Sequence, residues 1–232
     1  MKLQVIQSIK QGLEIIIKNP VILAPIVINA VLNCIFIYFF VYTPKLAYFS
    51  KVAPVLPEHF ALYAYAILSL LISSFLLSMV CKMVYDAVKG NVSISEAVSL
   101  SLRKFVFIFI ATILYSLIGI IGLIALIVPG IFLLNKFVFY NYAILLDNTK
   151  IIDSFEKSWR IVTGNWWGVF WIHLIFLIPI MILSTIASII APVSVQVAII
   201  LDFISILLSG WLMSVFTIAY IQLTKQETTE TQ

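Results

Sequence analysis

Two ionisable side chains interrupt long apolar runs of this chain where they could carry chemistry. Lys136 lies in "VPGIFLLNKFVFYNYAILLDN", Val128 to Asn148, and Asp202 lies in "VAIILDFISILL". An ammonium or carboxylate set in hydrocarbon is costly unless it pairs, reaches the interface or holds something. With a helix beginning near Gly130, Lys136 falls about 9 Å in, at 1.5 Å per residue. Asp202 falls at a similar depth from Val195, measured from the same membrane face. This arrangement admits three readings. The two could form an ion pair, or the lysine a hydrogen bond, that holds two helices in register. The lysine could snorkel while Asp202 is protonated or hydrated. Or the pair could form a site for a substrate, an ion or a lipid headgroup. Asn135, Asn141, Asn33 and Tyr140 are the polar groups able to join such a cluster.

Other chemistry finds little support. There is no HExxH, no GxSxG and no pair of aspartates placed for proteolysis. His173 is a lone intramembrane histidine, for which structural packing or an interhelical hydrogen bond is the expected role. Cys34 and Cys81 fall at different depths with no CxxC spacing, and are read as small buried hydrophobes. Neither a metal nor a cofactor is expected, and enzymatic activity is not favoured.

The elements that must position these residues are membrane helices. The chain has 232 residues, 63% hydrophobic and 10% charged, with a mean hydropathy of +1.15. A soluble domain is nearer a quarter charged, and no soluble fold of this size has interior enough for the apolar load. The runs are continuous rather than alternating, which excludes a membrane β-barrel. Six crossings are expected, at about Pro20 to Tyr42, Phe60 to Tyr85, Phe105 to Val128, Ile131 to Leu146, Trp167 to Ile190 and Val195 to Ile221. Each approaches or exceeds the roughly 20 residues that span hydrocarbon as helix, except the fourth, which is short. Pro129-Gly130 is the expected turn between the third and fourth, and Ala191-Pro192 between the fifth and sixth. Pro179 is expected to kink the fifth. The first run is too long for a signal-peptide core and is read as a retained helix.

Basic residues orient the array. Lys2, Lys10, Lys18, Lys82, Lys89, Arg103, Lys104, Lys150, Lys157, Arg160 and Lys225 fall on one side, against Lys45 and Lys51 on the other. The positive-inside rule makes the richer side cytoplasmic, so both termini are expected there, in a multi-pass protein of the plasma membrane. The net charge of +4 reflects this topology and provides no polynucleotide footprint. Nucleic acid is not an expected partner.

Three amphipathic stretches lie on the basic side: Leu3 to Lys18, "ISEAVSLSLRKF" from Ile94, and "IIDSFEKSWRIV" from Ile151. Each reads as a helix in the interface, with Ser93 or Ser95 capping the second. The fold is therefore an all-α bundle of six transmembrane helices with three interfacial helices. A single membrane domain is expected over 1–225, with a short polar tail over 226–232. A surface helix followed by two crossings, three times over, suggests repeat units 1–86, 92–147 and 150–222. Gly164-Asn165 is a helix-ending pair. Trp159, Trp166, Trp167 and Trp171 are read as interfacial anchors. Gly119 and Gly122 suit close helix contact.

The stretch Val128 to Phe170 resembles an uncharacterised prokaryotic family of six-helix integral membrane proteins, similar to the membrane domain attached to some glycerophosphoryl diester phosphodiesterases. The elements carrying the resemblance are Pro129-Gly130-Ile131, Asp147, Ser158-Trp159 and Gly164-Asn165-Trp166-Trp167, with a looser match at Phe155-Glu156. The resemblance implies a membrane fold and compartment. It implies no catalytic residues, and the soluble hydrolase barrel has no counterpart in this sequence. The expected function is non-catalytic, in membrane or lipid organisation or in support of another membrane component. The expected partners are membrane lipids, with a membrane protein or a second copy as further candidates. The alternative is a transporter or channel for a small solute or lipid, using the outer-half polar cluster.

Overall fold

The computed structural model describes residues 3–43 and 58–230. Lys2, Lys45 and Lys51, three of the residues that orient the array, lie outside the described residues. Among the described residues the chain is helical, without a strand: α1 (Val5–Lys18), α2 (Leu23–Ile37), α3 (Glu58–Val88), α4 (Ile94–Ala125), α5 (Ile127–Phe137), α6 (Tyr140–Leu146), α7 (Ile151–Val162), α8 (Trp166–Ile190) and α9 (Val195–Glu230). Six spans are long and apolar enough to cross a membrane: Pro20–Tyr42, Phe60–Val88, Ile94–Ala125, Ile127–Leu146, Trp166–Ile190 and Val195–Glu227. The protein is a multi-pass membrane protein. Its outer surface agrees, since Ile124, Val128 and Ile189 are 81%, 78% and 70% exposed, which suits hydrocarbon and not water. Backbone groups in hydrocarbon must be satisfied within the segment, so apolar runs of this length fold as helix.

Two of the three amphipathic stretches are separate helices, α1 and α7. The middle one is not. Ser93 caps α4, accepting from the Glu96 amide at 3.3 Å, and the helix continues unbroken to Ala125. Nothing between Phe105 and Ala125 breaks a helix, so the surface portion and the crossing share one axis.

The expected turn at Pro129-Gly130 is also displaced. The reversal occurs at Leu126, whose backbone is extended (φ −163°, ψ 134°), and α5 begins at Ile127. Pro129 sits in the first turn of α5, where a missing N–H costs nothing. Gly130 instead allows α5 to lie against α4. A Cβ there would stand 2.6 Å from the Leu123 nitrogen and 2.7 Å from the Gly122 carbonyl carbon. A Cβ on Gly122 would meet the Gly130 Cα at 2.9 Å, and one on Gly119 would meet Leu134 at 2.5 Å. The fifth and sixth crossings reverse at Ala191 to Ser194, as the Ala191-Pro192 step predicts, and Pro179 lies inside α8.

The first and last described helices, α1 and α9, meet at one end of the bundle. The Asn165 Oδ1 accepts from the Leu3 amide at 2.9 Å, and the Asn165 Nδ2 donates to the Gln226 Oε1 at 3.4 Å. The Ser8 hydroxyl faces Gln222. Gly164, at φ +88°, ends α7 as the Gly-Asn pair predicts. Arg160 of α7 pairs with Glu227 of α9. Asp147, at the end of α6, accepts from the Tyr220 hydroxyl and pairs with Lys157 at 2.9 Å. This is the proximal end of the bundle, and the opposite end is distal. The main core lies in the proximal half, where Phe139, Tyr142, Phe216 and Tyr220 pack together. A smaller cluster of Tyr42, Ala187, Ala191 and Ala198 closes the distal half.

Candidate functional site

Lys136 and Asp202 do not meet. The Lys136 Nζ donates to the Thr163 Oγ1 at 2.7 Å and lies over the Trp159 ring, 4.7 Å from its centroid, with Phe132 at 5.6 Å. Thr163 and Trp159 belong to α7 and its C-cap. Asp202 accepts instead from the Tyr42 hydroxyl, at the end of the first crossing. Asn135, next to Lys136, is level with His173 on α8, while the Asp202 cavity reaches Ser184 on the same helix. The rise from His173 to Ser184 is about 16 Å. Depth counted from one helix end misplaced the lysine for a structural reason. α5 stops at Phe137, and α7 folds back into the break between α5 and α6, bringing its own side chains to the ammonium.

Ser158 repairs that break. Its hydroxyl donates to the Lys136 carbonyl at 2.8 Å and accepts from the Phe139 amide at 3.0 Å. Both backbone groups lack their helical partners where the helix is interrupted, and a buried hydroxyl answers each.

The remaining sequence candidates also separate. The Asn135 Nδ2 donates to the Trp166 carbonyl at 2.9 Å, and its Oδ1 faces the His173 Nδ1 at 3.1 Å. The amide oxygen accepts, so Nδ1 carries the histidine proton. His173 thus makes an interhelical hydrogen bond and also packs its ring against Phe216, so both expected roles are present. Asn33 belongs to a different cluster, between α2 and α3. It donates to the Asn29 Oδ1 at 2.9 Å and accepts from Ser69 at 2.5 Å, while Ser73 donates to the Asn29 Oδ1 at 3.0 Å. Tyr140 bonds with Thr112 at 2.8 Å. The Asn141 Oδ1 is buried without a hydrogen-bond partner. Of the tryptophans, Trp167 and Trp171 are exposed, Trp159 lies against Lys136, and Trp166 is stacked between Phe132 and Phe170. Both cysteines are buried and free.

What stays together around Asp202 is a cavity of about 340 Å³ in the distal half, between the first crossing, α3, α8 and α9. Asp202 is only 5% exposed and has no cationic partner among the described residues. Tyr42 reaches it through a local irregularity. The last turn of the first crossing, Tyr38–Tyr42, is π-helical, with the Thr43 amide donating to the Tyr38 carbonyl. The wider turn rotates the end of the helix about its axis, and such turns recur at functional positions. Tyr42 is thereby turned inward. The other polar walls are Tyr65 of α3, Ser184 and Ser188 of α8, and Ser205 and Ser209 of α9. Sequence reading overlooked these serines. Their signal was present: Asp202, Ser205 and Ser209 recur at three and four residues, as do Ser184 and Ser188, so each set shares a helix face.

A larger groove, about 710 Å³, lies at the proximal end between α1 and the ends of α3 and α9. Its Glu14 and Lys18 already pair at 2.6 Å, and the hydrogen bond from Lys18 holds the Glu14 carboxyl below its ordinary range. That pair is internally neutralised, whereas Asp202 has no cationic partner among the described residues.

A family model described as a domain of unknown function (DUF7847) matches residues 112–225. The similarity runs from the middle of α4 into α9. It takes in Lys136, Ser158 and Asp202, and leaves out Tyr42 and the Asn33 cluster. No curated protein and no solved structure matches the chain.

Proposed function

We propose that this chain is a non-catalytic solute-binding protein of the plasma membrane, with its site in the Asp202 cavity and its termini in the cytoplasm. The observation that carries the reading is the buried Asp202 carboxylate, which opens on a hydroxyl-lined cavity with no basic group among the described residues to neutralise it. Ion pairs inside membranes are normally closed by their partners, and an unanswered carboxylate marks a ligand path or site. Asp202 is seven residues into α9 and Ser188 lies in the last turns of α8. Asp202 therefore sits about 10 Å from the distal end, on the side from which water would enter, while the cavity continues inward to Ser209. This supports the transporter-like reading over a purely organising role. Membrane lipids remain proposed partners, supported by the exposed Trp167 and Trp171.

Accessibility tests the reading. Cys34 and Cys81 are buried, so the parent chain sets a low background for a membrane-impermeant thiol reagent added outside intact cells. Ser184→Cys and Ser188→Cys should label, and Ile186→Cys, on the apolar surface, should not. Absence of labelling at both serine positions would remove the reading.

A further inference from the structure

Resting on that reading, we infer that the cavity takes a small monovalent cation, either an alkali ion or the ammonium end of a small amine. The argument is one of proton accounting. The Ser205 hydroxyl donates its only proton to the Asp202 carbonyl at 2.7 Å, and the Ser209 hydroxyl donates its own to the Ile206 carbonyl at 2.7 Å. Each keeps only lone pairs for the cavity. The Tyr42 hydroxyl gives its proton to the Asp202 Oδ2. The Oδ1 receives no hydrogen bond from the described residues. Along α9 and the first crossing the site therefore offers acceptors and one negative charge. The Ser184 and Ser188 hydroxyls are free to turn either way, and the Tyr65 hydroxyl on the α3 wall is engaged with Ser69.

An anion would meet repulsion and find few donors. A neutral solute would leave Asp202 to be neutralised by a proton, which a bound cation would displace. A cation answers both the charge and the lone pairs. Hard divalent ions gather several carboxylates or keep a full set of oxygen ligands, whereas one carboxylate with hydroxyls matches a single positive charge. The volume of about 340 Å³ exceeds that of a bare ion. It accommodates an ion with several waters, each taking about 30 Å³, or an ammonium carrying a short carbon chain.

The test is the thermal unfolding of the full chain in lipid nanodiscs. It is titrated with sodium, potassium or ethylammonium chloride at constant ionic strength, for wild type and for Asp202→Asn. At least one cation should raise the wild-type midpoint saturably, and Asp202→Asn should lose that response. The pattern across the three salts tells an alkali-ion site from an amine site. If Asp202→Asn does not fold, the Ser184→Ala/Ser188→Ala variant, altered on the exposed wall, should weaken the apparent affinity at least several-fold. Equal responses in wild type and variants, or none with any of the three salts, would overturn the inference. Thiol labelling at Ser184→Cys without any cation response sinks the cation assignment alone. Failure of labelling sinks the underlying reading as well.

Discussion

Ser158 and Lys136 are joined through the backbone, not through charge. The serine hydroxyl donates to the lysine carbonyl at 2.8 Å and takes the Phe139 amide at 3.0 Å. One small side chain on α7 thus closes the break between α5 and α6. The same contact lays α7 against the ammonium of Lys136, which ends on Thr163 and the Trp159 ring.

Ser158→Ala should therefore destabilise more than its size suggests. It strands a carbonyl and an amide in a fully buried position, and each unsatisfied group costs about 1–3 kcal/mol. The expected result is a clear fall in the thermal midpoint in detergent or nanodiscs. An unchanged midpoint would show that water or a relaxed backbone satisfies the break.

Lys136 and Thr163 lend themselves to a double-mutant cycle. The Thr163 hydroxyl already donates to the Trp159 carbonyl at 2.8 Å, so its role toward Lys136 is that of acceptor. Lys136→Met removes a buried charge that has no acidic partner among the described residues, and should be near neutral or stabilising. Thr163→Val leaves the ammonium facing only rings, and should cost about 1–3 kcal/mol. In the Lys136→Met background that cost should shrink. Additive effects would mean that the two side chains act independently.

Gly130→Ala probes the closest helix approach. Its Cβ would press on backbone atoms of α4 at 2.6–2.7 Å, and backbone cannot rotate away. Overpacking of this kind costs about 1–3 kcal/mol or more. Gly90→Ala is a useful contrast, since no atom lies within 4 Å of a Cβ there and only its φ of +86° opposes the change. Gly130→Ala should lower the unfolding midpoint further than Gly90→Ala, and the reverse order would contradict the tight α4–α5 contact.

Asn165→Ala should release the start of the chain. It removes the acceptor of the Leu3 amide and the link to Gln226. Hydrogen exchange should quicken in the first turns of α1 while α8 stays protected. Unaltered exchange there would show that apolar packing of Leu3 against Gly168 alone holds the helix.

The sequence by itself determined the membrane class, the six spans to within a few residues at most ends, the Gly164 helix stop and the Ala191-Pro192 reversal. These are local or one-dimensional properties: hydrocarbon admits only self-satisfied backbone, and a long apolar run has one way to comply. Composition also located the charged residues along the chain. Only the tertiary structure decided which groups they face. Matching depth is a single coordinate, while contact also depends on rotation about each helix axis and on where a helix is interrupted. The break after Phe137 and the return of α7 gave Lys136 to Thr163 and Trp159. The π-helical turn at Tyr38–Tyr42 gave Tyr42 to Asp202. Neither irregularity contains a proline or glycine, and both are stabilised by residues distant along the chain.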